Sequence, residues 1–92
     1  MSVTFVIPTA LRQYADGNSK VSVEGATVGE ALTSLVTTHD ALKSHLYNKQ
    51  GRLRSFVNLY VGDEDIRYLQ KEQTPLSEGA TISIIPSIAG GL

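Results

Sequence analysis

The chain has 92 residues, of which 41% are hydrophobic and 18% are charged, and its formal net charge is -1. These values are typical of one small globular domain, and they give no electrostatic reason for binding nucleic acid or an anionic membrane. The absence of cysteine excludes disulfides, zinc–thiolate sites and a thiol nucleophile. The apolar runs are too short to span a bilayer and the N-terminus does not resemble a signal peptide, so we expect a cytoplasmic protein.

The first part of the chain predicts a β-hairpin. Residues 3–7 are β-branched or aromatic and meet Pro8, which cannot donate to a β-ladder, so we expect a strand that ends there. An Asp-Gly pair at positions 16 and 17 marks a turn. Lys20–Glu24 then alternates between polar and apolar residues and predicts a second strand, paired with the first.

A single long helix is predicted next. Thr27 and Glu30 have the spacing of a capping box, in which the threonine hydroxyl accepts from the third helical amide and the glutamate reaches back. The apolar residues that follow recur at intervals of three and four, which predicts an amphipathic helix ending near His39. Leu42 and Leu46 are expected to pack a further short helical turn against the core.

The second half of the chain predicts a polar loop over residues 47–54 and a third strand over residues 55–61. An acidic turn follows at residues 62–65, and residues 66–68 form a short strand at best. After another turn, Thr81–Pro86 predicts the last strand.

This order of elements predicts an α+β fold of the β-grasp type, with a mixed sheet of four to five strands and one main helix across one face. We assign residues 1–86 to that domain and residues 87–92 to a flexible C-terminal tail. The other face of the sheet is open to water or to a partner, unless loops cover it. Strand alternation places four large apolar side chains there, a candidate docking patch for a partner protein: Val6, Phe56, Tyr60 and Ile85.

No residue pattern indicates a metal site or a catalytic site. His39 and His45 lie six residues apart, which matches no usual zinc pair, and we expect both to be solvated near helix ends. The acidic run at residues 63–65 is followed by Arg67 where a calcium loop needs an oxygen ligand, so we expect a solvated acidic turn. No spacing indicates a Ser/His/Asp set, so an enzyme is not expected.

The chain ends with two glycines and a leucine: Ile88, Ala89, Gly90, Gly91 and Leu92. Glycine has no side chain, so a Gly-Gly end can be threaded through a narrow channel into the active site of another protein. Ile88 and Ala89 belong to the segment that lets the C-terminus extend away from the domain, by at most ~3.5 Å per residue. A frayed terminus without function is the alternative interpretation.

A β-grasp pattern that ends in Gly-Gly resembles the ubiquitin-like sulfur carrier proteins, which include the molybdopterin synthase small subunit and the thiamine-pathway carrier. The runs FVNLYV, DEDIR and IIPSIAGG are similar to the CysO-type carriers of cysteine biosynthesis. In this family an E1-like enzyme uses ATP to adenylate the terminal glycine, and a sulfur donor then converts it to a thiocarboxylate. The resemblance implies that Gly91 bears the sulfur, that Gly90 lets the tail enter partner active sites, and that the carrier binds no cofactor and is not a catalyst.

Leu92 departs from this pattern because it holds the carboxyl of Gly91 in a peptide bond. Some members of the wider family have such extra residues, and a JAMM-type zinc metallopeptidase removes them, so we expect Leu92 to be processed off; the alternative is that it blocks function. The other implied partners are the E1-like enzyme and a sulfur-accepting synthase, with a PLP-dependent cysteine synthase favoured. Two alternative functions stay open: sulfur donation to a thiosugar or other natural product, and ubiquitin-like attachment of Gly91 to lysines.

Overall fold

The structure is a computed structural model, and it describes residues 1–86. Its strands and α-helices are β1 (Ser2–Val6), β2 (Lys20–Glu24), α1 (Val28–Thr38), α2 (Lys43–Leu46), β3 (Val57–Val61), β4 (Glu64–Asp65) and β5 (Thr81–Pro86). Short 3₁₀ segments lie between them at Thr9–Ala15, Asp40–Leu42, Ile66–Tyr68 and Lys71–Gln73. The predicted tail, residues 87–92, lies outside the described residues.

The five strands form one mixed sheet in the order β2-β1-β5-β3-β4. The two central strands, β1 and β5, are parallel, and every other neighbouring pair is antiparallel. A hairpin, a crossover helix and returning strands therefore combine as predicted. The β-grasp architecture is confirmed.

Strand alternation decides which side chains form the core. Every second residue of β1, β2, β3 and β5 faces α1 and is buried: Val3, Phe5, Val21, Val23, Val57, Leu59, Ile82 and Ile84. The helix contributes its own buried stripe: Val28, Ala31, Leu32 and Leu35. Leu42 and Leu46 are fully buried in the same cluster, so the short turn predicted after the helix does pack on the core.

The two ends of α1 follow the sequence prediction. Thr27 Oγ1 accepts a hydrogen bond of 3.2 Å from the Glu30 amide, as a capping box requires. Glu30 Oε1 accepts from the Ala26 amide at 3.0 Å, one residue earlier than the usual N-cap amide. At the other end the His39 amide donates to the Leu35 carbonyl at 2.9 Å and closes the last turn.

Gly25 brings β2 close to α1. A Cβ atom at this position would lie 2.6 Å from the backbone nitrogen of Ala31 and 2.8 Å from its Cα. A side chain at residue 25 would therefore push the start of the helix off the sheet.

Two predicted strands differ from the structure. β3 begins at Val57 rather than at residue 55, because the Val57 amide donates to the Arg54 carbonyl at 3.0 Å and closes a turn. Ile66–Tyr68 is a 3₁₀ turn, and the short strand is Glu64–Asp65, which pairs with Tyr60 and Val61. Within residues 1–86, no helix is long and apolar enough to cross a membrane.

Candidate functional site

The face of the sheet opposite α1 is mostly small and polar. The outward residues of β1, β2 and β5 include a series of hydroxyl side chains: Ser2, Thr4, Ser22, Thr81 and Ser83. Larger apolar side chains on this face lie near the C-terminal end of β5. A partner that uses this face would therefore meet an apolar area only at that end of the sheet.

Three residues of the predicted docking patch share this face. Val6 and Tyr60 both pair with Ser83, one from each side of β5, and both are partly exposed. Ile85 lies two residues further along β5 and is 48% exposed. The patch is therefore real as a spatial cluster, although Ser83 interrupts its apolar surface.

Phe56, the fourth residue of the patch, lies in the turn before β3 and is 39% exposed. Strand alternation does not fix its direction, because the sheet pairing begins at Val57. Phe56 lines a cavity of about 430 Å³ together with Leu11, His45 and Pro86. The apolar area near the end of β5 thus includes residues of the helical layer, which sequence alternation alone could not have found.

The acidic turn contains a buried carboxylate, which corrects the prediction of a solvated turn. Asp63 and Glu64 are exposed, but Asp65 is only 6% exposed and accepts from the Arg67 amide at 2.9 Å and from Arg67 Nη2 at 2.8 Å. Arg67 Nη2 also donates to the side chain of Asn58. The hydrogen bonds from Arg67 hold the pKa of Asp65 below its usual value, and the pairing raises the pKa of Arg67.

The two histidines lie near the 3₁₀ segment Thr9–Ala15 and the residue that follows it; the His39 side chain is mostly buried, which corrects the prediction that it is solvated, whereas His45 is partly exposed. The His39 side chain is 9% exposed, with Nδ1 3.6 Å from Asp16 Oδ2. The ring of His45 stacks on Tyr14 with 3.9 Å between centroids. In the part of the chain that the structure describes, no three ligating side chains come close enough to hold a metal ion.

The predicted carrier residues all lie outside the described residues: Ile88, Ala89, Gly90, Gly91 and Leu92. The described chain ends at Pro86, which pairs with Val57 at one end of the sheet. Ile85 and Phe56 flank that point. The docking patch and the end of the described chain therefore lie side by side.

The profile of the ThiS family matches residues 6–91. The chain belongs to the ThiS family. It is 37% identical to the sulfur carrier protein CysO of Mycobacterium tuberculosis, over 99% of this chain and 100% of that protein. Membership of this family, together with the full-length similarity, identifies the chain as a ubiquitin-like sulfur carrier of the CysO type.

Solved structures of similar proteins agree with this assignment. The BexX/CysO complex of Amycolatopsis orientalis matches with a TM-score of 0.86 and 37% identity, covering 97% of this chain and 99% of the other. The small archaeal modifier protein 1 of Methanosarcina acetivorans matches with a TM-score of 0.88 and 27% identity, covering 98% and 96%. The family match ends at Gly91, so it includes both glycines but not Leu92.

Proposed function

We propose that this protein carries sulfur as a thiocarboxylate on Gly91. The observation that carries the proposal is the family match, which extends through Gly90 and Gly91 on a chain without cysteine. A carrier that lacks a thiol needs another group to hold sulfur, and a terminal carboxyl is one that can be activated.

The reaction sequence has two steps, both on a partner enzyme of the E1 type. A carboxylate oxygen of Gly91 attacks the α-phosphorus of ATP, pyrophosphate leaves, and an acyl-adenylate forms. Bisulfide released by a sulfur donor then attacks the acyl carbon, a C–S bond forms, AMP leaves with the electron pair of the broken C–O bond, and a thiocarboxylate remains. On another enzyme the thiocarboxylate sulfur displaces a leaving group from a second substrate, and hydrolysis of the resulting thioester releases the sulfur product and returns the Gly91 carboxylate.

Cleavage after Gly91 has to come first, because Leu92 holds the carboxyl in a peptide bond. We assign this cleavage to a JAMM-type zinc metallopeptidase. Intact-mass measurement before and after incubation with such an enzyme tests the assignment, and the expected result is loss of one leucine. The matched control is a Gly91→Pro chain, which is expected to resist cleavage; adenylation of the uncleaved chain would contradict the proposal.

The docking patch is proposed to hold the activating enzyme while the tail enters its active site. Ile85→Arg and Phe56→Ala are each expected to weaken binding by about 2 kcal/mol, because anchor residues at interfaces contribute on that order. Ser22→Arg adds a charge to the same face but far from the tail, and it is expected to bind normally. Thermal unfolding of all three variants checks that the fold is intact, and equal binding of Ile85→Arg and Ser22→Arg would overturn the assignment.

The sulfur acceptor we favour is a PLP-dependent cysteine synthase that uses O-phosphoserine, because the chain is 37% identical to a CysO carrier along its full length. An alternative is an acceptor enzyme that makes a thiosugar or another natural product; the BexX/CysO complex supports only that a CysO carrier binds a second protein. Incubation of the thiocarboxylate form with each enzyme and its substrate separates the two. Sulfur transfer to O-phosphoserine is the result expected.

A second candidate function is protein modification, which the likeness to a small archaeal modifier protein supports. In that case Gly91 would form an amide with lysines of other proteins. Mass spectrometry of the protein from its native cell distinguishes the two functions. A free chain ending at Gly91, with one oxygen replaced by sulfur, supports the carrier, whereas lysines that bear this chain support the modifier.

A further inference from the structure

A cavity at the outer edge of the sheet contains no residue of the predicted docking patch. The strand β4 pairs only with Tyr60 and Val61, so within residues 1–86 the earlier part of β3 has no strand neighbour on that side. A cavity of about 490 Å³ opens there, within the size range of ligand-binding clefts. Four apolar side chains form part of its wall: Leu53, Val57, Leu59 and Ile66.

The charges around this cavity are mainly positive. Half of the eight lysines and arginines of the chain line it: Arg52, Arg54, Arg67 and Lys71. Its two carboxylates are Asp65, which Arg67 already pairs, and Glu72. Residues 41–62 contain four cations and no carboxylate, although the whole chain has a net charge of -1. The basic charge is therefore concentrated on one side of the molecule.

One of these cations is held in position before any ligand binds. Asp65 fixes the Nε and Nη2 atoms of Arg67, whose side chain is 58% exposed and whose Nη1 makes no hydrogen bond with residues 1–86. An arginine held in this way loses little side-chain freedom when it binds a carboxylate.

The neighbouring aromatic residue indicates a protein partner. Tyr68 follows Arg67 on the same 3₁₀ turn and is 88% exposed. Tyrosine and arginine are the residue types that most often anchor protein interfaces. Nucleic acid fits less well, because its binding depends mainly on neutralising many phosphates and the chain as a whole is not basic.

We propose that this cavity binds an extended acidic segment of a partner protein, in which carboxylates alternate with apolar side chains. The carboxylates pair with Arg52, Arg67 and Lys71, and the apolar side chains contact the wall formed by Leu53 and Ile66. Alternate residues of an extended segment point to opposite sides, so one segment satisfies both kinds of contact. Asp65 in the cavity wall pairs with Tyr60 of the docking patch, so the cavity borders that patch without containing any of its residues.

The test uses a short fluorescein-labelled peptide of alternating glutamate and leucine, titrated with the full chain while anisotropy is measured. Binding that weakens with added salt is expected. The double variant Arg52→Glu and Lys71→Glu is expected to bind roughly tenfold more weakly, because each reversal replaces an attraction by a repulsion. Lys20→Glu on β2, at the opposite edge of the sheet, is the matched control and should bind normally. Arg67 is left unchanged in these variants because its loss would leave Asp65 without its partner.

Amide shifts in a heteronuclear NMR spectrum locate the peptide. Shifts at residues 52–54 and 66–71 support the proposal, whereas shifts confined to Val6, Tyr60 and Ile85 overturn it. No measurable binding, equal binding by the two charge variants, or preferred binding of a single-stranded RNA of equal charge also overturns it. A chain that lacks residues 90–92 is expected to bind the peptide unchanged, so failure of the carrier proposal and failure of this one are distinguishable.

Discussion

The two faces of the sheet use the same strands for different purposes. The face toward α1 is lined by valine, leucine, isoleucine and phenylalanine side chains, whereas the opposite face presents serines and threonines with Val6, Tyr60 and Ile85 near one end. Neighbouring residues of one strand therefore have different roles. Strand alternation separates the buried core residues from the exposed residues that are proposed for recognition.

Ile84 and Ile85 give the most direct test of this difference. They are adjacent and chemically identical, but Ile84 is 3% exposed and Ile85 is 48% exposed. Ile84→Ala is expected to lower the free energy of unfolding by about 3 kcal/mol, because it leaves a cavity in the core. Ile85→Ala is expected to cost less than about 1 kcal/mol. Urea unfolding of the two variants measures both values, and similar losses would contradict the assignment of faces.

Gly25→Ala tests how closely the helix-facing side is packed. The added Cβ would meet Ala31 backbone atoms at 2.6 and 2.8 Å, so α1 has to move away from β2. We expect a loss of about 2 kcal/mol, as for other cases of overpacking. An unchanged urea midpoint would contradict the close contact between residue 25 and the backbone of Ala31.

Asp65 is a charged residue that is buried although it does not belong to the apolar core. Because Arg67 lowers the pKa of Asp65 in the folded state, the unfolded chain takes up the proton first as the pH falls. The stability from this pair is fully present above the ordinary aspartate pKa, about 4, and is lost as the pH falls through the lower folded value. Asp65→Asn should therefore lower the melting temperature at neutral pH, and the difference should shrink in acid. Asp63→Asn, at an exposed position, is the control, and a deficit that does not change with pH would contradict the pairing.

Tyr47 provides the smallest and most local test. Burial, and secondarily the charge of Glu72, raises the pKa of Tyr47 to about 12. Its contribution to stability is present below the ordinary tyrosine pKa, about 10, and is lost as the pH rises through the folded value. Ultraviolet titration should show one tyrosine that ionises late, and this step should be absent in Tyr47→Phe but present in Tyr68→Phe. Circular dichroism at each pH checks that the chain is folded, and a single titration near pH 10 in the folded chain would contradict the prediction.

Much of the fold could be predicted from local patterns. Thr27 and Glu30 predicted the start of α1, and the apolar repeat predicted its end at His39. Thr81–Pro86 was predicted with the bounds that the structure shows. In the candidate site, alternation correctly grouped Val6, Tyr60 and Ile85 on one face. These features depend on residues that are neighbours in sequence or that follow a strand or helix period, so local propensity is enough to predict them.

The sequence by itself determined the element order, the β-grasp class, the cysteine-free composition and the Gly-Gly motif of the ThiS family. Only the tertiary structure decided which polar residues are covered. The His39 side chain is mostly buried beside Asp16, His45 stacks on Tyr14, and Asp65 is buried with Arg67, although the sequence predicted all three to be solvated. It also decided that cations from three separate segments meet at one cavity: Arg52 and Arg54, Arg67, and Lys71. The physical reason is that burial and charge clustering depend on contacts between residues distant in the chain, which no local period encodes.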